Sequence, residues 1–189
     1  MASLHPTRTQ VYFIDNDDYF QKLDTDEDAV GSNRDDNDQR IIFFTRSTLE
    51  TAKKLQWDPA VIHAQGWVSA MTPVYLRHMG DSPTFENSSI VYTVLPGEIS
   101  AAIDEGFFRR LKEEGVDEEY LKKYEGMALD TSLLHRMAID NSDGVIFMTD
   151  EPDAALLSLV EERGIPYLTK DQASSLDTYI EFYDKLSTK

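Results

Sequence analysis

The sequence contains no cysteine in its 189 residues. This absence excludes disulfide bonds, a thiolate nucleophile, cysteine-ligated zinc and iron–sulfur clusters, and it is compatible with a reducing compartment. Long apolar runs are also missing: residues 1–10 hold no apolar stretch typical of a secretory signal, and no later stretch approaches the roughly 18 uninterrupted apolar residues of a membrane helix. We therefore expect a soluble, cytoplasmic protein with no membrane partner.

Positive charge is scarce. The chain has 18 Lys and Arg against 35 Asp and Glu, a formal net charge of −17. Because nucleic-acid affinity comes largely from Lys and Arg that neutralise phosphates, this balance argues against nucleic acids and anionic membranes as partners. The apolar residues, 41% of the total, suffice for one core, and the length suits a single domain over residues 1–189.

Familiar motifs of catalysis and metal binding are absent as well. None of the four histidines has a second histidine or a glutamate at metal-ligand spacing, and there is no Gly-x-Gly-x-x-Gly, Walker or Gly-x-Ser-x-Gly motif. We therefore predict no metal, no cofactor and no catalytic residue. His63 follows an apolar strand, at the strand end where open α/β sheets bind ligands, so it is either a candidate ligand contact or a structural histidine.

A strongly acidic segment covers residues 15–38, with ten carboxylates and two basic residues. This composition predicts a long, solvated loop. Asp24, Asp26, Asp28 and Asp35 have the spacing of a calcium-binding EF-hand loop, although Ala29 stands where that loop needs glycine. A calcium- or partner-binding module is therefore an alternative to a solvated loop.

The rest of the chain alternates short apolar runs with amphipathic segments. The runs predict strands at Val11–Asp15, Ala60–Ala64, Ser89–Leu95, Gly144–Met148 and Pro166–Leu168. Three- to four-residue spacing predicts a helix of about 18 residues capped by Asn37 or Asp38, and further helices through Leu76, at Ile99–Glu114, Glu118–Tyr124, Leu133–Ile139, Asp153–Arg163 and Leu176–Leu186. This alternation predicts a doubly wound α/β fold with a mostly parallel sheet, the segment at 99–125 being a surface helical insertion.

Four segments carry a resemblance to a known family: VYFIDNDDYF at 11–20, DNDQRIIFFTRSTLE at 36–50, LQWDPAVIHAQGWVSAMTPVYLR at 55–77 and SIVYTVL at 89–95. In order and spacing they resemble the N-terminal catalytic domain of bacterial glycogen synthases and plant starch synthases, glycosyltransferase family five. The segment NSDGVIFMTD at 141–150 adds a weaker match. The chain is similar in particular to the short, single-domain relatives of these enzymes.

The resemblance implies a Rossmann-like sheet that forms the N-terminal half of a two-domain, B-type glycosyltransferase fold. It implies ADP-glucose as the donor and transfer of glucose to an α-1,4-glucan with retention. The chain starts downstream of the family's first strand and its Lys-x-Gly-Gly loop. We therefore expect the domain to lack its first strands, Met1 to be an internal start, and a longer natural chain to exist, which a native mass of 21.6 kDa would contradict.

The resemblance also implies a set of substrate-binding residues: Asp36, Asn37, His63, Gln65, Gly66 and Trp67. Asp36 and Asn37 could instead be an N-cap and turn, and Trp67 a helix-packing residue. Gln65 and Gly66 replace a histidine and an aspartate of the family's His-x-His-Asp-Trp motif, and Leu95-Pro96 replaces the His-Asn of Thr-Val-His-Asn. Since leucine cannot donate to a developing charge and glycine has no carboxylate, we predict that this chain alone is inactive.

Three functional hypotheses follow. The first is a degenerate synthase-type domain, a pseudoenzyme that binds α-glucan or a protein of glycogen metabolism. The second is one half of a split glycosyltransferase that a separate nucleotide-binding chain completes. The third is the calcium- or partner-binding module that uses the acidic loop.

Overall fold

A computed structural model describes residues 2–4, 9–20, 34–79, 83–96 and 103–187 of the chain. Its main sheet contains four parallel strands in the order β3 (Val61–Gln65), β4 (Ser89–Val94), β5 (Gly144–Phe147) and β6 (Tyr167–Leu168). Two short strands, β1 (Ala2–Leu4) and β2 (Thr9–Val11), pair with each other in antiparallel fashion. The parallel sheet confirms the predicted α/β class.

Helices lie between the strands and after them. Within the described residues they are α1 (Asp17–Phe20), α2 (Asn37–Lys54), α3 (Met71–His78), α4 (Phe107–Glu113), α5 (Glu118–Lys122), α6 (Thr131–Ile139), α7 (Ala154–Glu162) and α8 (Leu176–Ser187). Short 3₁₀ turns occupy Trp67–Ser69, Pro83–Phe85 and Gln172–Ser174. None of the described helices combines the length and the apolar character that crossing a bilayer requires.

The two faces of the sheet are covered by different helices, because successive strand residues point to opposite sides. Tyr92, Val145 and Phe147 belong to the larger core, together with residues of α2, α3, α6 and α7. Val91 and Ile146 face the other way and pack with α8. Helix α8 is therefore the main cover of the second face.

Gly144 allows α8 to approach the sheet closely. A Cβ atom at this position would lie 2.6 Å from Leu186 Cδ1 and 2.8 Å from Phe182 Cζ. Phe182 and Leu186 are 6% and 2% exposed, so they anchor the helix against β4 and β5. The Ser89 hydroxyl adds a hydrogen bond of 2.9 Å to the Leu186 carbonyl.

Several acidic residues have a local structural role as helix N-caps. Asp117 caps α5, Asp130 caps α6 and Asp153 caps α7, each through a side-chain oxygen that accepts a backbone N–H. Such caps satisfy N–H groups that a helix start leaves open and complement its partial positive charge. Part of the negative charge therefore reflects helix capping.

The buried strand predicted at Val11–Asp15 is wrong in extent and in burial. Strand β2 ends at Val11 and pairs with β1 outside the main sheet, while Phe13 is 75% exposed. An apolar run becomes a buried strand only where tertiary packing covers it, and the described residues leave Phe13 uncovered.

The predicted acidic loop at 15–38 is helical at both described ends. Helix α1 covers Asp17–Phe20, and Asn37 and Asp38 lie inside α2 rather than capping it. Asp36 occupies the N-cap position, but its side chain makes no capping hydrogen bond. Residues 21–33 lie outside the described residues, and with them most of the calcium-like spacing. The helix predicted at Ile99–Glu114 begins only at Phe107, and residues 97–102 are likewise outside the described part.

Candidate functional site

Strand β3 ends in a sharp turn at Gly66. The residue has φ = +72°, a left-handed conformation that glycine adopts without steric cost. Its N–H donates to the Thr93 carbonyl at 2.9 Å, which ties the turn to the end of β4. The chain then enters the 3₁₀ turn at Trp67, so Gln65, Gly66 and Trp67 lie together at the carboxyl end of the sheet.

His63 is the centre of a hydrogen-bonded group that we call the His63 cluster: His63, Thr93 and Tyr183. Nε2 of His63 lies 2.6 Å from the Thr93 hydroxyl, and Nδ1 lies 2.7 Å from the Tyr183 hydroxyl. The two aromatic rings meet edge to face, 5.8 Å between centroids. Both ring nitrogens of His63 are therefore occupied within the chain.

The protonation state of His63 follows from its surroundings. Burial lowers the pKa of His63 to about 4, because the charged imidazolium loses its hydration. The ring is neutral near pH 7, with one nitrogen donating and the other accepting. Thr93 and Tyr183 suit this state, since a hydroxyl can do either.

The two replaced motif positions lie side by side. A Cβ atom at Gly66 would lie 3.1 Å from Leu95 Cδ1, and Leu95 is 37% exposed. Gln65 is exposed, and its amide nitrogen lies 3.5 Å from His63 Nδ1. At the position that they share, Gly66 and Leu95 themselves supply an aliphatic surface and no acid, base or cation.

A second group connects the start of α2 with Trp67. Arg40 is 4% exposed, donates from Nη1 to Asn37 Oδ1 at 2.7 Å and from Nε to the Tyr19 carbonyl at 3.0 Å. Its guanidinium lies 5.4 Å from the Phe20 ring centroid and 5.9 Å from that of Trp67. The buried charge is thus compensated by carbonyl oxygens and aromatic faces.

Asp38 lies beside this group but faces α4. Its carboxylate is buried, and Arg110 Nη1 lies 2.6 Å from Oδ2. Burial raises the pKa of Asp38, while the Arg110 charge opposes that rise. The pair joins α2 to α4 across 72 residues of sequence.

The structure therefore places the six predicted site residues in different surroundings. Gln65, Gly66 and Trp67 lie at the strand end, and Asn37 is joined to Trp67 through Arg40. Asp36 pairs with Arg34 instead, and His63 faces α8. Which of these residues contacts a ligand stays a prediction. Sequence reasoning missed Arg40 and Tyr183; the spacing of Tyr179, Phe182, Tyr183 and Leu186 indicates one face of α8, but nothing in it identifies His63 as the partner.

Within the described ranges, no three His, Asp or Glu side chains are arranged to hold a metal ion. The Asp24, Asp26 and Asp28 positions lie outside those ranges. At the strand end, the polar groups can form hydrogen bonds with a ligand, and the Trp67 ring can stack on one.

Comparison with known proteins gives one family. The starch synthase catalytic domain matches residues 1–148. Similar curated proteins include the glycogen synthase of Geotalea uraniireducens, 33% identical over 113 residues that cover 58% of this chain and 22% of that protein. The glycogen synthase of Elusimicrobium minutum is 37% identical over 75 residues, 40% of this chain and 15% of that protein.

The glycogen synthase of Treponema denticola is 28% identical over 93 residues, 49% of this chain and 19% of that protein. Each match thus spans less than a quarter of the relative's length, and no solved structure gives a significant match. The family match covers most of the chain and includes β3, β4 and the Gly66 turn, which confirms the resemblance found in the sequence. This chain belongs to the starch synthase catalytic domain family.

Proposed function

We propose that this glycogen synthase-type glycosyltransferase domain binds α-glucan and does not, as a single chain, transfer glucose. The observation that carries the proposal is the contact between Gly66 and Leu95 beside an internally bonded His63. Glucosyl transfer requires groups that stabilise developing charge and move a proton at the reacting centre. An aliphatic contact and a histidine with both nitrogens occupied supply neither.

A sugar-binding surface remains beside this centre. Trp67 is half-buried with Arg40 near its ring, and Gln65 presents an exposed amide with donors and an acceptor. Aromatic rings pack against the apolar C–H faces of sugars while amides bond their hydroxyls. We therefore propose Trp67 and Gln65 as the principal glucan contacts.

We expect no bound cofactor and no productive binding of ADP-glucose, the donor that the family uses. Arg34 is paired with Asp36 at 3.2 Å, and Arg40 is engaged by Asn37 and the Tyr19 carbonyl. Neither guanidinium is available to a diphosphate without breaking these bonds. A net charge of −17 further opposes a dianionic ligand.

Co-sedimentation with glycogen tests glucan binding. Trp67→Ala and, separately, Gln65→Ala should reduce the sedimented fraction, the tryptophan change by roughly tenfold in apparent Kd if stacking contributes about 1.4 kcal/mol. Trp57→Ala is the matched control, because Trp57 is 39% exposed and meets the Tyr12 ring edge to face instead. Circular dichroism confirms folding, and since Gln65 is exposed its substitution leaves the core intact.

Failure of the wild-type chain to sediment would contradict glucan binding. Equal losses from Trp67→Ala and Trp57→Ala would contradict the assignment of Trp67.

The alternative of a split glycosyltransferase is supported by a separate observation. In the part of the chain that the structure describes, β3 pairs with β4 on one side only. An open strand edge can accept a strand from another chain. The test mixes this chain with the part of the Geotalea uraniireducens glycogen synthase outside its matched segment and measures glucose transfer from ADP-glucose; no turnover above that of either part alone would exclude the split enzyme.

A further inference from the structure

A cavity of about 420 Å³ lies between α1, α2 and α4, and we call it the α2–α4 cavity. Its volume falls within the range of small-molecule sites. One wall is a single face of α2, because its residues follow i, i+3, i+4, i+7 spacing: Gln39, Ile42, Phe43 and Arg46.

Aromatic rings line one part of the cavity. Tyr19 of α1 and Phe43 of α2 lie 5.3 Å apart between ring centroids, tilted by 40°. Ile42, 9% exposed, extends the apolar surface. A ligand here meets aromatic and aliphatic side chains on one side.

The other part of the cavity is lined by equal numbers of positive and negative side chains. Arg46 and Arg110 bring two positive charges, and Glu113 and Glu114 bring two negative charges. Arg46 Nη1 lies 2.5 Å from Glu114 Oε2, and Arg110 is engaged by the buried Asp38. A phosphate or carboxylate ligand would need a positive excess, which this lining does not have.

Polar groups are nevertheless available to a ligand. Gln39 Oε1 accepts the Tyr19 hydroxyl at 3.3 Å, which leaves the amide protons without a partner among the described residues. Within the same ranges Glu113 makes no hydrogen bond, and its exposed carboxylate can accept. Donors and acceptors therefore stand next to aromatic faces.

We propose that the α2–α4 cavity is a binding site for a neutral carbohydrate, a monosaccharide or a short oligosaccharide. Sugar rings present apolar C–H faces to aromatic side chains, and their hydroxyls both donate and accept hydrogen bonds. The balanced charge selects an uncharged ligand. This site goes beyond the proposed function, because its lining contains neither His63 nor Gln65 nor Trp67.

Methyl NMR of the full chain provides a direct test, with maltose and inorganic phosphate as separate probes. Ile42 lines the cavity, whereas Ile165 packs against the core near α7 and is the internal control. Maltose should shift the Ile42 Cδ1 methyl in a saturable manner and leave Ile165 unchanged. Phosphate should shift neither.

Two arginines of similar exposure make a matched pair of variants. The side chains of Arg46 and Arg77 are 43% and 40% exposed, and each forms one ion pair. Arg46→Ala should weaken the maltose response of Ile42 by at least about tenfold, as expected for loss of a charged hydrogen-bond donor. Arg77→Ala should not change it, and the methyl spectrum reports whether each variant is folded.

Three results would overturn the proposal: no saturable shift of Ile42 with maltose, an equal loss from Arg77→Ala, or saturation by phosphate in place of maltose. Trp67→Ala separates this site from the proposed glucan surface. It should leave the Ile42 response intact even if sedimentation with glycogen is lost.

Discussion

The His63 cluster and the α2–α4 cavity contain similar kinds of side chain and differ in what fills the space beside them. In the His63 cluster, Tyr183 of α8 occupies Nδ1 and Thr93 occupies Nε2. The cavity lined by Tyr19 and Phe43 is not filled by another described side chain, and Glu113 stays exposed. Binding capacity therefore depends on which polar groups the fold leaves unoccupied as much as on residue type.

The cause of this difference is the docking of α8. Phe182 and Leu186 bury against β4 and β5, and this holds Tyr183 over His63. Over the cavity, the ion pair of Arg46 and Glu114 connects α2 with the end of α4 without closing the gap.

Weakening the packing of α8 against the sheet should produce the largest change in the free energy of unfolding. Leu186→Ala removes a side chain that is 2% exposed and should cost about 2 to 5 kcal/mol in the free energy of unfolding. Leu176→Ala on the same helix, where the side chain is 74% exposed, should change it by less than about 0.5 kcal/mol. Urea unfolding measures both, and similar values for the two variants would show that α8 is not anchored as described.

Acid should destabilise the fold through its buried histidines. Burial lowers the pKa of His63 and of His135 to about 4, below the ordinary value of 6.5, so the unfolded chain binds more protons between these values. The stability that these two neutral histidines contribute is therefore fully present above pH 6.5 and is lost as the pH falls towards 4. His135, 6% exposed, should contribute a loss on the order of 2 kcal/mol by pH 5.

Ring NMR titration checks this assignment independently of the carboxylates. Titration of the His63 ring near pH 6.5 would mean that α8 does not exclude water from the cluster.

A substitution in the Gly66 turn should produce a smaller change in the free energy of unfolding. Gly66→Ala should cost about 1 to 2 kcal/mol, because φ is +72° and the new Cβ would lie 3.1 Å from Leu95 Cδ1. Leu95→Ala removes the steric part, so the double variant should be more stable than the sum of the single changes predicts. Strict additivity in thermal unfolding would refute the contact.

A substitution in the lining of the α2–α4 cavity should produce the smallest change in the free energy of unfolding. Arg46→Ala breaks a partly exposed ion pair with Glu114 and should change the free energy of unfolding by at most about 1 kcal/mol. A chemical denaturation curve measures this change. A loss above 2 kcal/mol would show that Arg46 holds α2 and α4 together and would undermine its use as a probe of binding.

The sequence predicted the fold class well, because that depends on local patterns. Uninterrupted apolar runs predicted β4 and β5, and helical spacing predicted a helix at Asp153–Arg163, where α7 covers Ala154–Glu162. The run at Val11–Asp15 failed, since its burial depended on tertiary cover that the run itself does not encode.

The candidate site was less predictable, because it depends on contacts between distant segments. Motif matching proposed His63 and Trp67 as site residues, whereas the hydrogen bond between Tyr183 and His63 joins residues 120 positions apart. Arg40 belongs to the helical pattern of α2, and that pattern does not indicate its aromatic neighbours. Its position near two aromatic rings follows only from tertiary packing.

The most direct test of the central claim is an isotope-transfer assay with labelled ADP-glucose, glycogen and the purified chain, with sedimentation of the protein measured in the same tubes. The account predicts that the protein sediments with glycogen while glycogen gains no label above the protein-free control. Label that increases in proportion to the protein added would contradict it, and would mean that the Gly66 and Leu95 contact and the closed His63 cluster are compatible with transfer.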